Sequence, residues 1–351
     1  MTSNVKRSVV CLVLLLGLLS MTAIGANKNR IGTSGAQELL IPVGARGIAL
    51  GFSGSLFIKG LDAIYWNPAG LSRMDNEVEV MFSHMSYIAD IGVSYGAVGV
   101  NVGDFGHLGF TLKSLSFGDI PETTELYPDG TGAHYSPAFL TLGMTFSKEL
   151  TDRISVGATG YLLSEKILDV SATGMCFDIG LQYQNLGVEG LALSVVVKSV
   201  GPNMTFDGSG TYKSATANDG SIRGFQTLKT ELASFEMPSN LEIGLAFTPR
   251  LDESNNLAVA AAFRNNNYTE DEYNIGAEYS FMNMMFLRGG YTLSPQTDKD
   301  IATDTRGYIY DWSLGMGVHY NTGGVDLSFD YAYRNVKYFD GNQVFTLKVG
   351  F

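Results

Sequence analysis

From Glu77 to Phe351 the chain repeats with period two, and this constrains its fold more than any other feature. Leu241, Ile243, Leu245 and Phe247 oppose Asn240, Glu242, Gly244 and Ala246. Trp312, Leu314, Met316, Val318 and Tyr320 oppose Asp311, Ser313, Gly315, Gly317 and His319. Val325, Leu327, Phe329, Tyr331 and Tyr333 oppose Asp326, Ser328, Asp330 and Arg334, and the same pattern closes the chain at Phe345, Leu347, Val349 and Phe351. Successive side chains of a strand point to opposite faces, so such alternation predicts strands with one apolar face. The reading gives fourteen: 77–86, 91–102, 105–117, 136–149, 153–165, 171–183, 189–200, 239–248, 256–265, 272–281, 284–294, 309–320, 323–334 and 343–351.

A soluble sandwich also alternates apolar with polar, and the connections decide between the two. The long ones, 118–135, 201–238, 295–308 and 335–342, follow strands 3, 7, 11 and 13, all odd-numbered. Most connections after even-numbered strands are tight, as at Gly103-Asp104, Thr151-Asp152 and Asn321-Thr322. Long loops at one end and short turns at the other mark bacterial outer-membrane barrels, and a sandwich has no reason to sort its loops in this way. The expected fold is therefore all-β: a transmembrane antiparallel β-barrel of about fourteen strands in the bacterial outer membrane, with lipid as its first partner. Tyr273, Phe281, Tyr320 and Tyr333, near strand ends, suit aromatic girdles. The opposing rows carry Glu242, Glu278, Arg288, Asp311, Asp326, Asp330, Arg334 and Lys348. These are expected to face the lumen, because Arg or Lys on the lipid face costs about 2–4 kcal/mol at mid-depth. A salt-bridged wall explains such a row more economically than a specific ion path.

Composition agrees with lipid contact: 42 Gly, 18 Tyr and 20 Phe, only 17% charged residues and a mean hydropathy of +0.08. Residues 1–26 read as a signal peptide. Lys6 and Arg7 lead an apolar run from Val9 to Leu19, too short to span a bilayer, and Ala23-Ile24-Gly25-Ala26 supplies small residues for cleavage. Cleavage would remove two positive charges and no negative ones, taking the net charge from −12 to −14, which argues against nucleic-acid partners. One cysteine, Cys176, would remain, so the mature chain could form no internal disulfide.

Residues 27–75 lack either period. They are Gly-rich, with short apolar pieces, and they lead into Asp62-Ala63-Ile64-Tyr65-Trp66-Asn67-Pro68-Ala69-Gly70-Leu71. Pro68 pushes Asn67 toward an extended conformation, Asn is a good N-cap, and Pro suits the first helical position. A short helical turn is expected there, with Trp66 packed on the inner wall of the barrel. The organisation is thus a signal peptide at 1–26, a compact N-terminal hatch or plug at 27–75 and a barrel at 76–351.

Enzymatic chemistry finds no support. Gly208-Ser-Gly210-Thr-Tyr-Lys213 lacks the Gly-Lys-Ser/Thr ending of a phosphate-binding loop, and the glycines of 44–54 lack the flanking strand and helix of a dinucleotide site. His84, His107, His134 and His319 show no metal-ligand spacing. A triad is spatial, so Ser83 beside His84, and His319, remain the places where one could be built. No cofactor, metal or catalytic residue is assigned.

The N-terminal unit resembles the PorV/PorQ family of outer-membrane proteins, relatives of FadL-type transporters. The matching pieces are Gly32-Thr-Ser-Gly-Ala-Gln37, Val43-Gly-Ala-Arg46, Ala49-Leu-Gly51 and the motif Asp62, Ala63, Ile64, Tyr65, Trp66, Asn67, Pro68, Ala69, Gly70, Leu71. The remaining chain matches only in architecture. Two departures stand out: Gly51-Phe52-Ser53 replaces the usual Gly-Gly-Ala, and Lys59-Gly60-Leu61-Asp62 keeps one acid where two are common. Similarity to PorV implies a part in type IX protein secretion, with secretion translocon subunits and cargo C-terminal signal domains as partners. Similarity to FadL implies fourteen strands, a hatch with an Asn-Pro-Ala motif and passage of a hydrophobic ligand. The shorter mature chain and modest loops favour the secretion reading; the channel for hydrophobic molecules is the alternative.

Overall fold

The computed structural model describes residues 30–215, 226–249, 252, 254–294 and 308–351. The expected signal peptide and parts of two long connections lie outside the described residues. Fourteen long strands form the wall: β1 Val78–Ser86, β2 Gly92–Asn101, β3 His107–Ser116, β4 Ala138–Glu149, β5 Ile154–Ile167, β6 Val170–Tyr183, β7 Leu191–Val200, β8 Asn240–Phe247, β9 Asn255–Asn266, β10 Glu272–Phe281, β11 Met285–Leu293, β12 Tyr310–Thr322, β13 Val325–Val336 and β14 Asn342–Gly350. Each pairs antiparallel with its neighbours in sequence, and β1 pairs with β14 from Glu79↔Gly350 to Ser86↔Gln343. The sheet therefore closes on itself and leaves no edge, the requirement for strands in lipid. The last residue takes part, with the Phe351 N–H donating to Val78 O at 2.9 Å.

Alternation becomes two faces. Phe82, Phe110, Leu142, Leu162, Ile179, Leu287, Leu314, Phe329 and Leu347 stand exposed on the outside. Their neighbours in sequence point inward and are buried, among them Ser83, Thr111, Thr141, Ser313, Ser328 and Thr346. Ser83 and His84 consequently lie on opposite faces, so no hydrolase pair forms between them.

Loop sorting holds for the three longest connections, but the expected long loop at 335–342 shrinks to 337–341, because its flanking strands run to Val336 and from Asn342. The connections 117–137, 201–239 and 294–309 all lie at one end. The β5–β6 connection shares that end but is only Leu168-Asp169, with Leu168 in the left-handed region at φ 51°. Sequence reading stopped these strands at 165 and 171; Ile167 and Val170 continue the apolar alternation, and the pair runs on to that turn. A second irregularity lies between β6 and β7, where the register shifts between Phe177 and Ile179. There Ser199 has φ 56° and its N–H donates to Asp178 Oδ1 at 2.7 Å.

Residues 37–73 lie inside the ring. The chain starts at the long-loop end, where the Gly32 N–H donates to Tyr268 O and the Gly35 N–H to Glu236 O. It descends through α1, Ala45–Ala49, and short 3-10 turns at Gln37–Leu40, Gly54–Leu56, Gly60–Ala63 and Pro68–Arg73. It leaves at the short-turn end, where Glu77 N donates to Phe351 O and β1 begins. With glycine at 44, 51 and 60, all at positive φ, the segment turns too often for a longer helix. Ile48, Leu50, Leu56, Ile58, Leu61, Ile64, Trp66 and Leu71 are fully buried. The main hydrophobic core therefore sits in the lumen, between this segment and the inward rows of the wall.

Candidate functional site

The Asn67-Pro68 pair does locally what its chemistry dictates. Asn67 is extended at φ −153°, ψ 109°, and its Oδ1 accepts the Ala69 N–H at 3.0 Å, opening the turn Pro68–Arg73. The same side chain ties the turn to the wall: Asn67 Nδ2 donates to Ser194 Oγ at 2.8 Å and to Leu181 O at 3.1 Å. Ser147 adds a reciprocal pair, accepting the Ser72 N–H at 3.1 Å and donating to Ala69 O at 3.0 Å. The wall yields space here. A Cβ at Gly157 would strike the Pro68 carbonyl, and one at Gly180 would strike the Asn67 amide. Gly70 is enclosed likewise, facing Ala63 and the Ile58 carbonyl.

Trp66 is placed differently from expectation. Its aromatic partners belong to its own segment: Phe52 at 5.2 Å and Tyr65 at 5.1 Å between ring centroids, both edge-on. From the wall, the Lys198 ammonium stands 5.7 Å from the indole. The indole therefore binds two turns of the inner segment together more than it binds segment to wall. Tyr65 lies between two ammonium groups, Lys113 at 5.3 Å and Lys198 at 4.3 Å from its ring centroid. Burial raises the Tyr65 phenol well above its ordinary range, and its hydroxyl donates to Leu39 O at 3.1 Å.

Five of the eight expected inward charges fall into three groups. Glu278, Arg288 and Asp330 form one buried chain with Arg46 of the inner segment. Arg46 Nη2 meets Glu278 Oε1 at 2.7 Å, Arg288 Nε meets Glu278 Oε2 at 2.6 Å, and Arg288 Nη1 meets Asp330 Oδ1 at 2.5 Å. Glu242 accepts from Arg264 Nη2 at 2.9 Å and from the Ser55 hydroxyl, while Arg264 Nη1 also reaches Glu272 at 3.2 Å. Lys348 Nζ binds Asp62 Oδ2 at 2.6 Å. Arg334 stands apart from these chains, its guanidinium stacked on Phe52 at 4.3 Å and Tyr310 at 3.4 Å.

The remaining two acids do not join a lumen network. Asp311 is only half-buried. It sits where the β12–β13 register shifts between Tyr310 and Ser313, and it accepts from Asn335 Nδ2 at 2.8 Å. That shift, invisible in the alternation, takes it out of the inward row. Asp326 lies beside the Gly323-Gly324 turn, bonded to Asn321, at the open short-turn mouth.

The inner segment divides the lumen. At the short-turn end a polar vestibule opens between the segment and β9–β14, with Arg46, Glu79, Glu278, His319, Asp326 and Lys348 in its lining. Nearer the long-loop end a second, small cavity lies between Leu39, Leu40 and Tyr65 and the inward rows of β2–β9. The β7–β8 connection roofs it: Met204, Phe206, Phe235 and Met237 pack with Ala36, Leu39, Tyr161 and Cys176. Sequence reading missed this cavity. Its signal was Lys113 and Lys198, each an isolated charge in an otherwise apolar alternation.

No protein-family model matches the chain, and no curated protein matches it. Solved structures do. The Pseudomonas putida toluene transporter TodX shares 15% identity over 87% of this chain and 96% of its own, at a TM-score of 0.55. The monoaromatic hydrocarbon channel CymD shares 15% over 88% and 97%, at 0.51. A Pseudomonas aeruginosa FadL homologue shares 13% over 88% and 98%, also at 0.51. The chain thus has the fold of the FadL-like barrels. At these identities the likeness is one of fold, and it lends no support to the narrower PorV/PorQ assignment or to the secretion role expected from the motif.

Proposed function

We propose that this protein is an outer-membrane channel for small hydrophobic molecules, with residues 27–75 acting as its hatch and 76–351 as its wall. The observation that carries the reading is the shared fold. TodX and CymD, a toluene transporter and a monoaromatic hydrocarbon channel, match most of this chain and nearly all of their own. The division of the lumen supports it: a solute entering from the long-loop end meets the roofed cavity first, then the inner segment, then the vestibule. The motif residues Asp62, Tyr65, Trp66, Asn67, Pro68, Ala69 and Gly70 hold the hatch, and the lumen charges fix its other side.

The apolar outer face and the closed sheet support outer-membrane residence. The purified protein should be heat-modifiable on gels and resist alkaline extraction from outer membranes; release as a soluble protein would overturn the reading. The functional test is uptake of a volatile aromatic such as toluene into proteoliposomes. Uptake above that of protein-free vesicles is expected, and its absence in correctly folded barrels would dismiss the channel.

A further inference from the structure

The vestibule at the short-turn end carries two side chains that its polar setting does not explain. Met282 and Met284 stand in its lining, 55% and 45% exposed. Methionine ordinarily fills gaps in an apolar core. These two instead continue the inward row of Glu278 and Ser280 past the end of β10. The turn from β10 to β11 makes the first of them costly. Met282 and Asn283 lie in the left-handed region, at φ 52° and 54°, and the Met284 N–H closes the turn on Phe281 O at 3.0 Å. Such a turn ordinarily takes Asn-Gly, and a side chain like that of Met282 costs about 1–2 kcal/mol there.

His319 faces them from β12. Its N–H donates to Met284 O at 2.8 Å and the next pair in register is Met285↔Val318, so Met284 and His319 are direct neighbours across the strands. Side chains so placed have Cβ atoms about 4.5–5.5 Å apart. Both line the vestibule, and Met282 lines it from the other side of the turn. The imidazole is already oriented. Its ring packs on Phe286 at 4.2 Å between centroids, and its buried Nε2 is turned toward Asp330 Oδ2 at 3.8 Å. That leaves Nδ1, which makes no hydrogen bond among the described residues, as the nitrogen open to the vestibule. A carboxylate behind one ring nitrogen is the usual device for aiming the other at a metal ion. Arg288 anchors Asp330 in turn through its other oxygen.

The charge of the vestibule admits a cation. Arg46, Lys59 and Lys348 each have a carboxylate partner, Glu278, Asp75 and Asp62, whereas Glu79 and Asp326 have no ion pair among the described residues. The donors decide which cation. Among the described residues no group of three His, Cys, Asp or Glu side chains could hold a metal ion, so a hard ion finds no ligand set. Thioethers select soft ions such as Cu(I).

We propose that Met282, Met284 and His319 form a binding site for a soft monovalent cation, Cu(I) or its chemical equivalent Ag(I), at the short-turn mouth. The two thioether sulfurs and imidazole Nδ1 are the ligands, Asp330 holds the imidazole, and Glu79 and Asp326 draw the ion in. The site is separate from the passage of a hydrophobic solute and does not rest on the channel reading.

The test titrates the purified barrel in detergent with Cu(I), without oxygen, in competition with the chromophoric chelator bicinchoninate. Expected is transfer of one Cu(I) per barrel, the same stoichiometry with Ag(I), and no displacement by equimolar Zn(II). Met282→Leu and Met284→Leu keep an apolar side chain of similar size, and each should weaken Cu(I) binding at least about tenfold in barrels that stay heat-modifiable, as should His319→Gln. X-ray absorption of the Cu(I)-loaded native barrel reads the ligands without any variant and should show sulfur together with nitrogen. No transfer of Cu(I), displacement by Zn(II), binding that survives Met284→Leu combined with His319→Gln, or a copper shell without sulfur would overturn the proposal.

Discussion

The inner segment is held by two unlike halves of the same wall. Toward β4–β7 the motif's contacts are close and form no ion pair: Pro68 against Gly157, Asn67 against Gly180, Ser72 against Ser147, with the Lys198 ammonium donating to Tyr65 O. Toward β8–β14 the contact is as close, with Ala49 on Gly315 and Leu50 on Gly276 and Gly290, and it is ionic as well: Arg46 on Glu278 and Asp62 on Lys348, with the Ser55 hydroxyl on Glu242. Short-range packing fixes position but tolerates no displacement, because its energy falls away within an ångström. Buried ion pairs add little net stability over an apolar substitute, yet removing one member is severe. Close packing on both halves thus locates the segment, and the ionic half determines which displacements leave charges unpaired. The solvent follows the same division, since the vestibule opens on the ionic side.

The largest effects should come from one substitution on each side. Glu278→Ala leaves Arg46 unpaired in the lumen and Arg288 with Asp330 alone, at a cost of about 3–5 kcal/mol. Trp66→Ala removes the ring joining two turns of the segment, at a comparable cost of about 3–5 kcal/mol. Both barrels should still form, because neither side chain closes the strand ladder, and residues 37–73 should lose protection from hydrogen exchange. If either barrel is missing from the membrane, the segment belongs to the folding core and the hatch assignment fails. Next comes Gly157→Val, which forces a side chain into the Pro68 carbonyl, at about 1–3 kcal/mol. Exchange should rise in 60–74 and little in 45–49; a uniform rise would erase the distinction between the halves.

The smallest effect concerns the entry of the segment. Glu236 accepts from Tyr268, and Arg30 Nη2 lies 2.5 Å from its Oε2. The Tyr268 hydroxyl first, then Arg30, hold this exposed carboxyl below its ordinary value. A depressed carboxyl contributes above its unfolded pKa and loses that contribution as pH falls through the folded one. Residues 30–36 should therefore loosen below the ordinary carboxylate range, while 60–74 stay protected. Exchange corrected for its intrinsic pH dependence reads this directly, and Glu236→Gln should be loose at every pH.

The wall was legible in the sequence because each strand is exposed to two solvents, lipid and lumen, and its alternation is the record of that. Glu242, Glu278, Arg288, Asp330, Arg334 and Lys348 all turn inward where period two puts them. Asp311 escapes the rule through a register shift that depends on its neighbour strand. The Asn67-Pro68 turn was legible because capping is local. The partners of Trp66 and the cavity at Lys113, Lys198 and Asn240 were not. They depend on how aperiodic turns stack, as Phe52 meets Trp66, and on how strands distant in the chain meet inside a closed ring, as Lys113 and Lys198 meet Tyr65, which no local period encodes.

That ring encircles its own leading segment. The chain enters by one mouth at Arg30, leaves by the other at Glu77, and only then lays down the strand that its final residues must meet. Val80 pairs with Val349, so the seam joins the earliest strand to the latest. The expected order of assembly is that residues 37–73 occupy the interior before the seam shuts, so that the barrel closes around its contents. In pulse-labelled refolding, protection of 60–74 should appear no later than that of the β1–β14 ladder. A seam protected while the segment is still exchanging would show that an empty barrel can be filled afterwards.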